Sequence, residues 1–229
     1  MTINLYTGHD ARETVGTHVF IQSVLSTTTV PVSITPLHKP MLKTAFGGDV
    51  AEGTNAFTVS RFLVPFLQGW TGTAIFMDGA DMLLREDLAE LEKLRDPYKA
   101  VQVVKHQYLT NADRKYVGTK MEADNRNYAR KQWASVMLIN CFHYAWRKMT
   151  PSFLLKANPL EALSFAWCPD EYIGDIPIHW NWLVDEFGVS ENAKVLHWTQ
   201  GVPLFSEYSH SPHSDEWFQG LKNVNYATD

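Results

Sequence analysis

The chain has 229 residues, 45% of them hydrophobic and 20% charged, the balance of a folded α/β protein rather than of a disordered chain. A formal net charge of -5, from 20 basic and 25 acidic residues, excludes the basic footprint of sequence-independent nucleic-acid binding. No stretch approaches the ~18 consecutive apolar residues of a membrane span, and the two cysteines, Cys141 and Cys168, are too few for a disulfide scaffold and fit a reducing compartment.

Residues 2–6 alternate and run toward Gly8, the pattern of a first strand that leaves into a loop at its carboxyl end. The first six residues lack the basic start and apolar centre of a secretory signal, so the expected location is the cytoplasm. Residues 14–25 carry Val15, Val19, Phe20 or Ile21, and Val24-Leu25 at helical spacing. Residues 30–34 predict a second strand closed by Pro36, and 58–67 a helix ended or kinked at Pro65. Thr73-Ala74-Ile75-Phe76-Met77 is a fully apolar strand that stops at Asp78-Gly79-Ala80-Asp81. Residues 85–95 predict an amphipathic helix with Leu88, Leu91 and Leu94 on one side. Three more strands are expected over 99–104, 135–140 and 193–198. The alternation predicts one α/β domain over 1–229, with a mostly parallel central sheet flanked by helices.

Ligands of such sheets bind at the carboxyl ends of the strands. That rule singles out the loop after Tyr6, the turn 78–81 and the segment 197–201. Two carboxylates three residues apart, directly after a buried strand, suit a hard divalent cation that keeps substrate oxygens among its ligands. The spacing alone leaves open that Asp81 caps a following helix and Asp78 solvates a turn. His197, at the end of an apolar strand and before Gly201, suits either a metal site or a backbone hydrogen bond. Gly79 would let the backbone pass close to a nucleotide. Lys115, Lys120, Arg126, Arg130 and Lys131 form a basic stretch that reads as a diphosphate or anionic-acceptor clamp, or as a solvated face. Seven of the eight tryptophans lie in the second half, where they serve packing for the most part and stacking on sugar rings at a few positions.

Five segments in order carry a family resemblance. They are Phe57-Thr58-Val59-Ser60-Arg61-Phe62-Leu63-Val64-Pro65, then Ile75-Phe76-Met77-Asp78-Gly79-Ala80-Asp81-Met82-Leu83-Leu84, then Ser135-Val136-Met137-Leu138-Ile139-Asn140, then Trp180-Asn181-Trp182-Leu183, and finally Val195-Leu196-His197-Trp198-Thr199-Gln200-Gly201-Val202-Pro203. From about Ile3 to Phe205 the chain resembles glycosyltransferase family 8, the glycogenin and lipopolysaccharide galactosyltransferase group with a GT-A fold, and within it small bacterial or phage members. The resemblance implies that Asp78, Asp81 and His197 hold Mn²⁺ (or Mg²⁺) against the diphosphate of a nucleotide sugar. It implies that Tyr6, Thr7 and Gly8 cradle the base, uracil by expectation, that Arg61 approaches the donor sugar or diphosphate, and that Gly201 lies close to the phosphates. The implied reaction is transfer from a UDP-sugar to a saccharide, lipid-linked or protein hydroxyl with retention of configuration, and no side chain is assigned as catalytic.

Departures from the family pattern are specific. Asp-x-x-Asp stands in place of Asp-x-Asp, and Val202 stands where a phosphate-binding Lys is usual, so Lys131, Arg130 or Lys105 must replace its charge. Trp133-Ala134-Ser135 replaces Asn-Ala-Gly, and Asp170-Glu171 is a weak match to the family's Asp-Gln region. The competing readings are a degenerate transferase that binds nucleotide sugar without turnover and a metal-dependent phosphohydrolase.

Overall fold

Residues 2–46, 48 and 57–225 are described by a computed structural model. In chain order the strands and α-helices are β1 (Ile3–His9), α1 (Thr14–Thr27), β2 (Val32–His38), α2 (Lys39–Phe46), α3 (Val64–Leu67), β3 (Thr73–Met77), β4 (Met82–Leu84), α4 (Leu88–Glu92), β5 (Val101–Val103), β6 (Arg114–Lys115), β7 (Ala123–Asp124), β8 (Val136–Asn140), α5 (Pro151–Leu154), α6 (Pro159–Leu163), β9 (Ile173–Asp175), β10 (Trp182–Leu183), α7 (Val184–Phe187), β11 (Val195–His197) and α8 (Ser214–Asn225). Six strands form the central sheet in the order β2-β1-β3-β8-β5-β9. Only β8 runs against the rest.

Alternation along the inner strands sends side chains to two different cores. Ala74 and Phe76 of β3, with Met137 and Ile139 of β8, join a core that contains Trp146, Phe165 and Trp167. Ile75 and Met77, with Val136 and Leu138, join the other, which contains Phe20 and Val24 of α1. Burial on both faces is why these two segments read as continuous apolar runs. Each fully buried large side chain contributes roughly 1.5–3 kcal/mol.

The expected closure of β2 at Pro36 does not occur, because β2 is an edge strand paired only with β1. Ile3 N donates to Pro31 O at 3.0 Å, and with Ile3 opposite Val32 the parallel register lets odd-numbered residues of β2 bond to β1. The Pro36 nitrogen therefore faces outward, where no ladder hydrogen bond is needed. The helix expected over 58–67 is instead a 3₁₀ turn (Ser60–Leu63) followed by α3, with Pro65 in its first turn, a position where no backbone N–H is required.

Two further differences shape the functional end of the sheet. Residues 82–84, expected to lead into a helix, form β4, and the helix that follows is capped by Asp87. β11 is not part of the central sheet. It lies between β10 and β4 in a separate three-stranded sheet, antiparallel to β4. Behind this sheet α8 and α1 close a third core around Trp198, Val202 and Trp217.

Candidate metal and nucleotide site

The turn after β3 is held from two sides. Gly79 has φ +81°, and a Cβ there would lie 1.9 Å from Thr7 Oγ1. A Cβ on Gly16 of α1 would lie 1.9 Å from Ala80 O. Both positions need glycine for close packing, and at Gly79 the close contact is with Thr7 of β1. Asp78 N donates to Ser135 O at 3.0 Å, and Met82 N to Gly79 O at 3.0 Å, which completes the turn and starts β4. In the β4–β11 register Met82 stands opposite His197, and Trp198 N donates to Asp81 O at 2.9 Å. Asp81 thus meets His197 because the strands that follow and precede them pair directly.

Asp78, Asp81 and His197 are buried, and one ligand atom from each lies within 4.8 Å of the others. His197 Nε2 is 3.4 Å from Asp81 Oδ2. Asp81 Oδ1 has no hydrogen-bond partner among the described residues, a costly state for a buried carboxylate oxygen and one that a cation relieves. A divalent ion of the Mn²⁺ or Mg²⁺ type fits two carboxylates and an imidazole with further positions left for substrate oxygens.

Neighbouring groups hold these three in place. The Arg61 guanidinium pairs with Asp78 Oδ1 at 2.6 Å and donates to Thr58 O and Ala134 O at 3.0 and 2.8 Å. It also lies over the Phe57 and Phe76 rings. Asn181, just before β10, donates from Nδ2 to Ser135 Oγ at 2.8 Å and Gln132 O at 3.3 Å. Its Oδ1 is therefore left to accept from His197 Nδ1 at 2.8 Å, which points the Nε2 lone pair at the carboxylates and fixes the tautomer a metal needs. Replacing Asn181 with Leu is expected to weaken Mn²⁺ affinity about 10–100-fold; Mn²⁺ titration by calorimetry measures it, and unchanged affinity would remove Asn181 from the site.

Burial raises Asp78 to about 6, against the pull of Arg61. Glu13, buried beside Asp81 with neither oxygen hydrogen-bonded among the described residues, is pushed well above the carboxylate range by burial and then by Asp81 and Asp10. Burial and Glu186 raise Asp185 to about 7. Burial alone would lower His197, but Asp81, Asp78 and Asp185 outweigh it and raise its pKa. All four bind protons more tightly folded than unfolded, so their stabilising contribution is present at low pH and lost as pH rises through their folded values, about 6 for Asp78 and about 7 for Asp185. His106, lowered to about 3 by burial, opposes this only as pH falls below its unfolded value near 6.5. The metal-free protein is expected to melt roughly 5 °C higher at pH 6.0 than at pH 7.5, and saturating Mn²⁺, which takes deprotonated ligands, to reverse that order in a melting series.

The triad opens on a cavity of about 360 Å³. Arg61 also lines it beside Asp78, and Lys115, Arg126 and Lys131 line it from the β6–β7 hairpin and the segment after it. Lys131 donates to Asn125 Oδ1 at 2.7 Å and Arg126 O at 3.1 Å, and burial lowers it to about 8. Of the cations named to replace the charge missing at 202, only Lys131 reaches the cavity. Arg130 pairs with Asp170 and Lys105 with Asp175, and Val202 is buried in the third core. No tryptophan lines this cavity.

Tyr6, Thr7, Gly8 and Gly201 are not among the described residues that line this cavity. Tyr6 is packed in the first core, Thr7 lies under Gly79, and Gly8 faces the Phe57 ring. Gly201 faces the ring of Tyr208. Asn181 and Glu13 were not singled out by the sequence. The signal for Glu13 was an acid in the first turn after β1, and for Asn181 a polar residue between two tryptophans.

The chain matches no model of a known protein family. It is 32% identical to Protein CDI of Arabidopsis thaliana over 231 residues, which takes in 96% of this chain and 86% of that one. The chain belongs to the Protein CDI family. Among solved structures this family member is similar to the WbbM bifunctional glycosyltransferase in its apo form, with a TM-score of 0.67 and 14% identity over 97% of this chain, and it spans 50% of WbbM. It is also similar to the galactosyltransferase LgtC in complex with donor and acceptor sugar analogs, with a TM-score of 0.63, 12% identity and coverage of 99% and 98% of the two chains. At these identities the likeness is one of fold: this Protein CDI relative has the GT-A-like α/β fold expected above. No helix among the described residues is long and apolar enough to cross a membrane.

Proposed function

We propose that residues 1–229 act as one divalent-metal-dependent glycosyltransferase domain, which moves a sugar from a nucleotide sugar, a UDP-sugar first among donors, to an acceptor hydroxyl. The observation that carries this reading is the buried Asp78, Asp81 and His197 triad at the carboxyl end of β3, open to a cavity whose other side carries Lys115, Arg126 and Lys131. Asp78, Asp81 and His197 would hold the ion, Mn²⁺ before Mg²⁺ because an imidazole is among the ligands. When bound, such an ion neutralises charge on the departing diphosphate.

The chain's own residues supply the rest. Arg61 and Asn181 orient two of the three metal-binding side chains, and Lys115 and Lys131 face the phosphate region as positive charges. The cavity would position donor and acceptor, which accounts for much of the rate in a transfer of this kind. Asp124, the other carboxylate lining the cavity, is committed to Arg114 and Arg126, each at 2.6 Å. The lack of a free carboxylate nucleophile among the described lining residues supports acceptor attack on the leaving-group face, with retention. The ion pair of Asp78 with Arg61 argues against the phosphohydrolase reading, whose aspartate must be free to attack. Two buried, unpaired cysteines support the cytoplasm as the compartment.

A melting series with UDP, GDP and ADP, each with Mn²⁺ or EDTA, tests the proposal. UDP with Mn²⁺ is expected to stabilise by about 2.7 kcal/mol at a hundredfold excess over its dissociation constant, and UDP-sugars to be turned over to UDP. No shift with any nucleotide overturns the site, and a shift without turnover would make the protein a nucleotide-sugar binder.

A further inference from the structure

Across α6 from the metal triad lies a second cavity, of about 310 Å³. Pro159, Leu160 and Leu163 of α6 line the first cavity, whereas Glu161 and Ala162 of the same helix line the second. Its apolar lining includes Met149, Trp167 and Phe153. Trp167 is fixed, since its Nε1 donates to Ala162 O at 3.2 Å and its ring lies 4.5 Å from that of Trp146. Phe153 is 44% exposed.

The polar lining is uncommitted. Lys148, Lys156 and Glu161 are exposed, and among the described residues their charged groups make no hydrogen bond or ion pair. Asn158 Oδ1 accepts from Leu160 N at 2.9 Å, which leaves its Nδ2 free to donate. Aromatic carbon bordered by two ammonium groups, one amide donor and one carboxylate is the chemistry that recognises a charged sugar. A ring face of a pyranose packs on the exposed Phe153, an acid group on the sugar meets the lysines, and its hydroxyls meet Glu161 and Asn158. The volume is that of a small-ligand site.

We propose that this cavity binds an anionic saccharide, and that this saccharide is the body of the acceptor whose end reaches the first cavity. The second clause rests on the glycosyltransferase reading; the first does not. A helix with its side chains is about 10–12 Å across, a span of a few sugar rings. A chain that joins the two cavities passes over Leu160, which is 53% exposed.

Calorimetric titration of the whole protein with tetragalacturonate, and with maltotetraose as the neutral control, tests this. Tetragalacturonate is expected to bind saturably and at least about tenfold tighter than maltotetraose. The double variant Lys148→Glu/Lys156→Glu, on exposed positions and with its melting temperature checked, is expected to lose about tenfold or more, and raised salt to weaken binding in the parent. No binding, equal binding of the neutral chain, or indifference to charge reversal overturns the site. Tetragalacturonate binding without any UDP binding would retain this cavity and remove the transferase reading; UDP-sugar turnover without tetragalacturonate binding would do the reverse.

Discussion

Asp81→Asn is expected to abolish the Mn²⁺-dependent part of UDP binding while leaving the fold in place. The substitution is nearly isosteric, so Trp198 N still has the Asp81 main-chain oxygen to bond to. It removes the charge of the triad carboxylate whose Oδ1, unlike that of Asp78, has neither a hydrogen bond nor an ion pair among the described residues. Asp78 differs, because its charge is shared with Arg61 at 2.6 Å. With Asn at 81 the ion would have one carboxylate, already half neutralised, and one imidazole. We expect UDP affinity in Mn²⁺ to fall at least about 100-fold, toward the value in EDTA, which corresponds to the several kcal/mol a divalent ion supplies to a phosphate ligand. Titration of UDP with and without Mn²⁺ reads this directly. If the difference between the two persists in the variant, Asp81 is not a metal ligand.

The second large effect is on stability. Arg61→Met keeps the aliphatic bulk against Phe57 and Phe76 but strands Asp78 as a buried carboxylate. Leaving one member of a buried pair alone costs about 3–5 kcal/mol, or roughly 10 °C of melting temperature for a chain of this size. The sign of the companion change follows from the same argument. Arg61 is the main influence holding Asp78 down, so its removal raises the Asp78 pKa further and steepens the loss of stability with rising pH. In Arg61→Met/Asp78→Asn the orphaned charge is gone, and more than half of the lost stability is expected to return. A single variant within about 1 kcal/mol of the parent would show that the pair contributes little.

The parts of the fold that the sequence reveals are those whose burial is local and two-sided. β3 and β8 face a core on each side, so every residue except the paired end residues Thr73 and Asn140 is apolar and the strands are visible without their neighbours. Asp78, Asp81 and His197 were legible for a related reason: the two aspartates lie in the turn after the apolar run of β3 and His197 ends the run of β11, although the β4–β11 pairing that brings them together was not legible. Pairing partners are not legible in this way. β11 reads as one more parallel strand because nothing in Val195-Leu196-His197 says that its neighbour is β4. β4 itself is three residues long and merges with the leucine spacing of α4. The β6–β7 hairpin has two-residue strands below any periodicity signal, although its lysines and arginines were visible as a charged cluster. The loop after β1 was expected to begin after Tyr6, but β1 continues to His9 and buries the Tyr6 and Thr7 side chains. Asn181 was hidden because its role depends on bonds to Gln132, Ser135 and His197, all remote from it in sequence.

The outward-facing nitrogen of Pro36 has a consequence for how this protein behaves in a crowded solution. An exposed β-edge offers a row of N–H groups on which another chain can grow. On the β2 margin that row is broken at Pro36, and on the opposite margin β9 has only three residues. Neither border of the central sheet gives a stranger a ladder long enough to hold, so the sheet ends at six strands.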